Sequence, residues 1–324
     1  MRAAFARLGA PCRNWFSRSV KVLVTGGAGF IGSHVVDALT AAGAAVHVID
    51  DLSSGHPGNL VRALEQGAEM HVADVTDADE TARLTTLASP DVVIHLAAQI
   101  DVRRSIDQPA FDASVNVAGT AAVLEASRRA GAGRVVLAST AAVYGEPAVL
   151  PTPELATVRP LTPYGAAKAA AESYLELYSR LYGLSTLALR MANVYGPRQD
   201  PHGDSGVIAI FCGAVAERRP VTIHGDGLQT RDYVHVGDVA DAFVRAAATP
   251  VSGALNIATG RETSVAQLAD FLGVEVLHGP GRVGEIPRSC LDPADAARRL
   301  RWSARTSLQS GLAGLRAGEP VESL

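Results

Sequence analysis

Cysteine is scarce in this chain: Cys12, Cys212 and Cys290 are all that 324 residues carry, an odd number spaced far apart. Without a CxxC pair there is no disulfide-built scaffold and no zinc site of the paired-thiolate kind, and no metal is expected; a reducing compartment is. Aromatic residues make up only 5% of the chain and its formal charge is −4. It therefore lacks both the stacking platforms and the basic surface of a nucleic-acid binder. No run of 18 or more apolar residues occurs, so no helical membrane span is expected.

What is present is a globular composition, 48% apolar and 19% charged, in a length natural for two lobes. Met1–Ser19 stands apart, with Arg2, Arg7, Arg13 and Arg18 and no acid. No long apolar stretch or cleavage site follows it. It reads as a disordered extension before a domain that begins at Val20, in preference to a targeting segment.

Val20–Thr25 is a continuous apolar run ending in Gly-Gly, as a buried parallel strand would be. A helix is expected over Phe30–Ala42, stopped by Gly43. Further strands read at Ala45–Asp50, Glu69–Ala73, Asp91–Leu96, Arg134–Ser139 and Leu184–Arg190. Helices read at Ala78–Leu87, Pro109–Ala130 and Pro163–Tyr182. Connections too long for hairpins join them, which is the alternation of an α/β doubly wound parallel sheet. After Asn193 the regularity fades into the loop-like Pro197–Gly206, then short strands (Val221–His224, Ala254–Ile257) and helices (Val236–Ala248, Val265–Leu272).

Between the first strand and first helix lies Thr25–Gly32, with Gly26, Gly29 and Gly32 three apart and Phe30 and Ile31 opening the helix. Such glycines allow a tight turn, the approach of a pyrophosphate to a helix N-terminus, and close packing of helix on strand. The strand before and helix after are the context that gives the triplet its meaning. Asp50 closes the second strand, where an acid accepts hydrogen bonds from an adenosine ribose and repels a 2′-phosphate, favouring NAD over NADP. The adjacent Asp51 competes for that role. Asp74-Val75 and Leu96-Ala97-Ala98-Gln99 follow later strands at the same sheet edge, where the dinucleotide would lie. The chain therefore reads as a Rossmann-type unit over 20–190 and a smaller C-terminal α+β substrate lobe over 191–324, with 221–250 partly returning to the larger unit.

Tyr164 and Lys168 stand four apart on the long helix after Pro163, hence on one face. An ammonium and a positive nicotinamide ring beside a phenol would favour its phenolate, making it a base and acid toward a substrate hydroxyl. Thr140, just past a strand, offers a hydroxyl at the same edge.

These motifs resemble the extended short-chain dehydrogenase/reductase family, and within it the UDP-glucose 4-epimerase-like enzymes of nucleotide sugars. The matching segments include TGGAGFIGSH (25–34), VIDDLSSG (48–55), HLAAQ (95–99), NVAGT (116–120), STAAVYGE (139–146), PYGAAK (163–168), NVYGPRQ (193–199), TRDYVHVGDVA (230–240) and RVGEIPRS (282–289). The resemblance implies a catalytic triad of Thr140, Tyr164 and Lys168. It implies NAD contacts from Ser53, Gly55 and Asn116 besides those named above, and a substrate site with Asn193, Val207, Thr222, His224, Arg231, Arg282 and Ser289. An anionic diphosphate wants arginine forks and an amide donor, which Arg231, Arg282 and Asn193 could supply. Arg231 beside Asp232 could instead be a salt bridge that locks the lobe.

Within the family, a 4,6-dehydratase carries an Asp-Glu pair after the catalytic Ser/Thr. Here Ala141 and Ala142 follow Thr140, and methyl groups do no acid/base work. The resemblance thus implies 4-epimerisation of a UDP-hexose. Other sugar-nucleotide enzymes, namely a dTDP- or GDP-sugar epimerase, a decarboxylase or a 4-ketoreductase, are alternatives, as is a non-catalytic NAD sensor. Family epimerases restricted to plain hexoses have a bulky Tyr where Ser289 stands, so N-acetyl sugars are expected to fit. A cytoplasmic homodimer is expected, pairing through the Ala-rich helices 109–130 and 163–182.

Overall fold

Strands that are apolar at nearly every position need cover on both faces, and here they receive it. In a computed structural model describing residues 20–201, 206–281 and 286–317, seven parallel strands form one sheet in the order β11-β6-β5-β4-β1-β2-β3. They are β1 (Lys21–Thr25), β2 (Ala45–Asp50), β3 (Glu69–Val72), β4 (Val92–His95), β5 (Arg134–Thr140), β6 (Ser185–Met191) and β11 (Gly253–Ile257). The extension Met1–Ser19 and Arg282 lie outside the described residues.

Alternate strand residues go to opposite cores. Val22, Val24, Val46, Val48, Ile94 and Val136 meet α1 (Phe30–Ala41) and α6 (Val236–Ala248). Leu23, Ile49, Val93, Val135 and Leu137 meet α2 (Ala78–Ala88), α3 (Thr120–Arg129) and α4 (Pro163–Tyr182). The chain runs outward from β1 through β2 to β3, then crosses to β4 on the other side of β1. The crevice beyond β1 and β4 is thus the switch point where open α/β sheets take their ligands.

Helix ends follow local chemistry. The Asp77 carboxylate accepts from Glu80 N–H at the start of α2, and Thr162 Oγ1 accepts from Gly165 N–H at the start of α4, with Pro163 next. The stretch 109–130 is not one regular helix. Helix Pro109–Ala113 passes into a wide π-type segment, Ser114–Gly119, before α3 resumes. The cause is polar: Asn116 Nδ2 donates to Gln99 O (2.9 Å) and to Asp112 Oδ1 (3.0 Å). Gly119 meanwhile passes so near Val75 that a Cβ would lie 3.1 Å from its side chain. Such bulges gather at functional sites.

The remaining chain divides. Strands β7 (Asn193–Tyr195), β8 (Val221–His224), β9 (Thr230–Arg231), β10 (Tyr233–His235), β12 (Thr263–Ser264), β13 (Val276–Gly279) and β14 (Arg288–Ser289) form small sheets. Together with α5 (Val207–Ala216), α7 (Val265–Leu272) and α9 (Leu308–Ala317) they enclose a core of Tyr195, Phe211, Ile223, Tyr233 and Leu268. Of residues 221–250, β8 stays with this lobe while α6 packs on α1; β11 beyond them joins the large sheet, and α8 (Ala294–Arg299) packs beside it. No single cut near 190 separates the lobes.

Trp302 fastens the C-terminal segment to α6. It is 1% exposed, and its indole N–H donates to Asp238 O at 2.8 Å. Trp302→Ala should cost about 3–5 kcal/mol, read as a lower urea midpoint. A loss below about 1 kcal/mol would show the indole to be dispensable to the core.

Candidate active site

The mouth of β1 is built from backbone packed against backbone. Gly26 has φ +69°, and a Cβ there would lie 2.5 Å from Ala97 N; at Gly32 one would lie 2.0 Å from Gly26 O. Only hydrogen fits at either place, so the glycine turn, the loop after β4 and the start of α1 share one small volume. Gly29 precedes the helix and offers no side-chain cap, and the first turn of α1 contains no acid. The leading N–H groups, at Phe30 and Ile31, are left for an external anion such as a diphosphate. The chemistry of this cradle fits a dinucleotide.

Asp50 is buried at the end of β2, and its carboxylate accepts from Ala28 N–H (2.8 Å) and Leu52 N–H (2.9 Å). Burial raises its pKa from the ordinary aspartate value, partly opposed by those backbone donors. Gly55 is buried against it. Asp51 is exposed and closes a local turn by accepting from Ser53 N and Oγ. Asp50 therefore faces the cradle, whereas Asp51 is occupied with its own loop. Asp74 is exposed and accepts from Thr76 N–H (2.8 Å), while Val75 is buried. Leu96, Ala97 and Ala98 are half-buried, and Gln99 is buried, donating to Asp101 O and Asp112 Oδ1.

Across the crevice, Thr140 ends β5. Its Oγ1 accepts from Ala142 N–H (3.2 Å) and lies near the Tyr164 hydroxyl, whose pKa it lowers. Tyr164 and Lys168 lie one turn apart on α4, Tyr164 keeping some exposure and Lys168 only 2%. Burial pushes the Lys168 ammonium down to about 8, against the opposing charges of Asp112 and Glu172. Burial pushes Tyr164 up to about 12 in the protein alone, the Thr140 hydroxyl only partly offsetting this and the Asp112 charge adding to it, so without a dinucleotide the phenol keeps its proton.

Several supporting residues are not evident from the sequence. Glu172, one turn beyond Lys168, is held by Arg190 (2.6 Å) and accepts from Ser139 Oγ, tying α4 to β5 and β6. Arg190 also donates to the Tyr144 hydroxyl, which donates to Asn256. Asp112 lies buried between Gln99 and Asn116, and burial raises its pKa. His95 joins the two sides of the crevice. Ala97 N–H donates to Thr25 Oγ1, which contacts His95 Nδ1 at 2.6 Å; His95 Nε2 meets Thr120 Oγ1 at 3.0 Å, and Thr120 donates to Asn116 O. Because Thr120 spends its proton on Asn116, the imidazole must donate from Nε2 and accept at Nδ1. Burial and the Lys168 charge, which push His95 down to about 3, keep it neutral. The sequence signal for this chain was a lone polar residue closing the apolar run VVIH.

In the smaller lobe, Arg231 and Ser289 are partners in the pairing of β9 with β14. Asn193 is paired with Tyr233, two residues beyond Arg231, and its N–H donates to Asp232 O. These three share one neighbourhood. The Asp232 carboxylate is buried and takes donors from Thr259 and Gly260, which locks the lobe through those loops. Thr222 and His224 lie on β8 in a separate two-stranded sheet, His224 bonding Pro280 O (3.2 Å). Val207 opens α5 and is half-buried.

The pattern of a family described as the NAD dependent epimerase/dehydratase family matches residues 22–258. The chain is 48% identical over 303 residues to a UDP-glucose 4-epimerase of Mycolicibacterium smegmatis, covering 91% of this chain and 96% of that one. A UDP-glucose 4-epimerase of Thermotoga maritima, solved with UDP-glucose, superposes with a TM-score of 0.86 at 43% identity, covering 90% of this chain and 96% of that one. A UDP-glucose 4-epimerase of Thermus thermophilus, solved with NAD, gives a TM-score of 0.84 at 40% identity with the same coverage, 90% and 96%.

The Lys168 shift has a consequence for stability. Lysine ordinarily titrates at 10.5 and Lys168 at about 8, so between these values the unfolded chain binds the extra proton. Folding is therefore penalised fully below pH 8, and the penalty fades as pH rises toward 10.5. In protein freed of dinucleotide, Lys168→Met should gain up to roughly 3 kcal/mol over wild type near pH 7.5, and lose most of that gain by pH 10. Urea unfolding at the two pH values measures it. A difference independent of pH would mean that Lys168 keeps an ordinary pKa.

Proposed function

Because the chain belongs to the NAD-dependent epimerase/dehydratase family, we propose that it is a nucleotide-sugar 4-epimerase, interconverting UDP-glucose and UDP-galactose through a transient 4-keto intermediate. One observation carries this choice within the family. The hydroxyls of Thr140 and Tyr164 lie together beside a buried Lys168, yet the residues that follow Thr140 are Ala141 and Ala142. The proton-transfer group is there, and the acid a dehydratase needs beside it is absent.

NAD is the cofactor, held by Gly26, Gly29 and Gly32 with the N–H groups of Phe30 and Ile31. Asp50 takes the adenosine ribose; Ser53, Gly55, Asp74-Val75 and Leu96–Gln99 line its length, and Asn116 steadies the segment facing it. When bound it supplies a hydride acceptor that is restored within each cycle. Tyr164 removes the proton of the sugar 4-hydroxyl and later gives it back, with Thr140 polarising the same oxygen. The phenol sits at about 12 in the chain alone, so base action requires added positive charge beside it. Lys168 supplies part of that charge, and Asp112 and Glu172 keep the ammonium from losing its proton more readily still. Asn193, Arg231 and Arg282 hold the diphosphate, and Val207, Thr222 and His224 border the nucleotide.

Large apolar residues stand exposed along α4, at Tyr174 (38%), Leu177 (44%) and Leu181 (68%), with Phe111 (40%) on the preceding helical stretch. This spacing of three and four along one stripe supports a homodimer paired through these helices. The thiols of Cys212 and Cys290 are free, which agrees with a cytoplasmic enzyme. Among the described residues no helix is long and apolar enough to cross a membrane.

Purified protein with NAD should interconvert UDP-glucose and UDP-galactose without net NADH, followed by chromatography of the products. Tyr164→Phe should lower kcat by about 10²–10⁴-fold. If both sugars and their N-acetyl forms stay unchanged, the epimerase reading is lost; other products from dTDP- or GDP-sugars would redirect it.

A second reading concerns the sugar. Ser289 is small and neighbours Arg231, which supports room for an N-acetyl group. Ser289→Tyr should remove turnover of UDP-N-acetylglucosamine and spare UDP-glucose. Equal loss of both would show that Ser289 does not gate the pocket.

A further inference from the structure

Away from the crevice, the outer edge of the large sheet carries an unassigned donor set. Strand β3 is the last of the sheet, pairing with β2 so that Glu69 lies opposite His47 and His71 opposite Ile49. With a side-chain period of two, His47, Glu69 and His71 all project on one face. His47 Nδ1 is 3.5 Å from His71 Nε2 and 3.6 Å from Glu69 Oε2, and all three ligand atoms lie within 4.8 Å of one another. A tetrahedral ion with bonds of about 2.0–2.2 Å sets its ligand atoms about 3.3–3.6 Å apart. Two of the observed separations already match that edge.

An ion pair between His47 and Glu69 would explain only part of the arrangement. It leaves His71 turning a ring nitrogen onto the same point, its ring parallel to that of His47 within 8°. Of the surrounding charges, Lys21 lies near His47, and Glu80, near His71, is taken by Arg83. The His47 side chain is 15% exposed and that of Glu69 64%, so the set is anchored on its inner side and open to water on its outer side.

We propose that His47, Glu69 and His71 bind one divalent transition-metal ion of the zinc type, joining edge strand β3 to β2. Two imidazoles and a carboxylate suit zinc, copper or nickel and not magnesium or calcium. Water completes the fourth position. The ion would pin the sheet edge beside the strand that ends in Asp50, apart from Tyr164 and Lys168. Thiolate spacing could not announce it, since the ligands are histidines and an acid divided between two strands.

The full chain, stripped with a chelator and titrated with zinc chloride in a calorimeter, should bind one ion and unfold at a higher temperature when loaded. A Co²⁺ complex should show the visible absorption of a low-coordinate site. Removing a ligand should cost at least the about tenfold that losing an outer-shell partner costs. A His47→Ala/His71→Ala variant should therefore lose both the binding and the thermal gain, and Glu69→Gln should weaken them. His71→Gln alone, at the sheet edge, provides the same reading should the double variant fold poorly. Absence of saturable binding by the parent chain, or equal affinity in a folded variant, overturns the proposal. Epimerase assays do not enter this test, so its failure is distinguishable from failure of the functional reading.

Discussion

The absence of a Cβ at Gly26 and Gly32 is the constraint on which the rest of the site depends. A methyl group at either position would meet backbone atoms at 2.5 Å or less, and backbone cannot rotate away as a side chain can. The turn can therefore sit against the loop after β4, and α1 can begin close to the sheet. From Thr25, directly before the turn, the Thr25–His95–Thr120–Asn116 chain of hydrogen bonds carries that placement across the crevice. It ends in the π-type segment that faces α4. The glycine turn and the Tyr164 side of the crevice are thus registered to each other by a short, directional and buried chain, whose members each have one donor arrangement open to them.

On the proton-transfer side, burial and charge work against each other. Desolvation raises Tyr164 and lowers Lys168, so in the chain alone the phenol is not poised for base catalysis at neutral pH. Asp112 and Glu172 moderate the second shift. Glu172 is itself kept in place by Arg190, a buried pair whose disruption would leave an uncompensated charge beside the active helix. A positive ring held in the cradle would act on the phenol through the same low-dielectric surroundings that raise its pKa. Under the proposed function, loading of the cofactor would then set the competence of the base without a moving part.

The smaller lobe supplies what the sheet edge cannot. Apart from β8, which the sequence reveals with its bounds, its strands are mostly two or three residues long, too short to announce themselves by periodicity. They fold because Tyr195, Phe211, Ile223, Tyr233 and Leu268 form a core of their own. Asp232, satisfied by Thr259 and Gly260, fixes the turn between β9 and β10. That places Arg231 next to Ser289 and near Asn193, three residues spread over nearly a hundred positions of chain.

The alternation of apolar runs and helices, the glycine turn with Asp50 at the next strand end, and the Tyr164–Lys168 spacing were all legible in the sequence, because each is set by contacts among near neighbours or by a strict period. The same local logic misread 109–130 as a single helix, since the widened turn at Ser114–Gly119 answers to Gln99 and Val75, which are distant in the chain. Spacing likewise shows that a charge neighbours the phenol but not how deeply the phenol is buried, which raises its pKa in the protein alone. Asp112, His95, Arg190 and the His47–Glu69–His71 cluster escaped for a related reason: each acquires its partners from another strand or helix. Sequence alone determined which elements form and which chemical groups stand at their ends. Tertiary structure decided which of those groups meet, and how strongly their charges act, because distance and desolvation arise only when separate elements pack together.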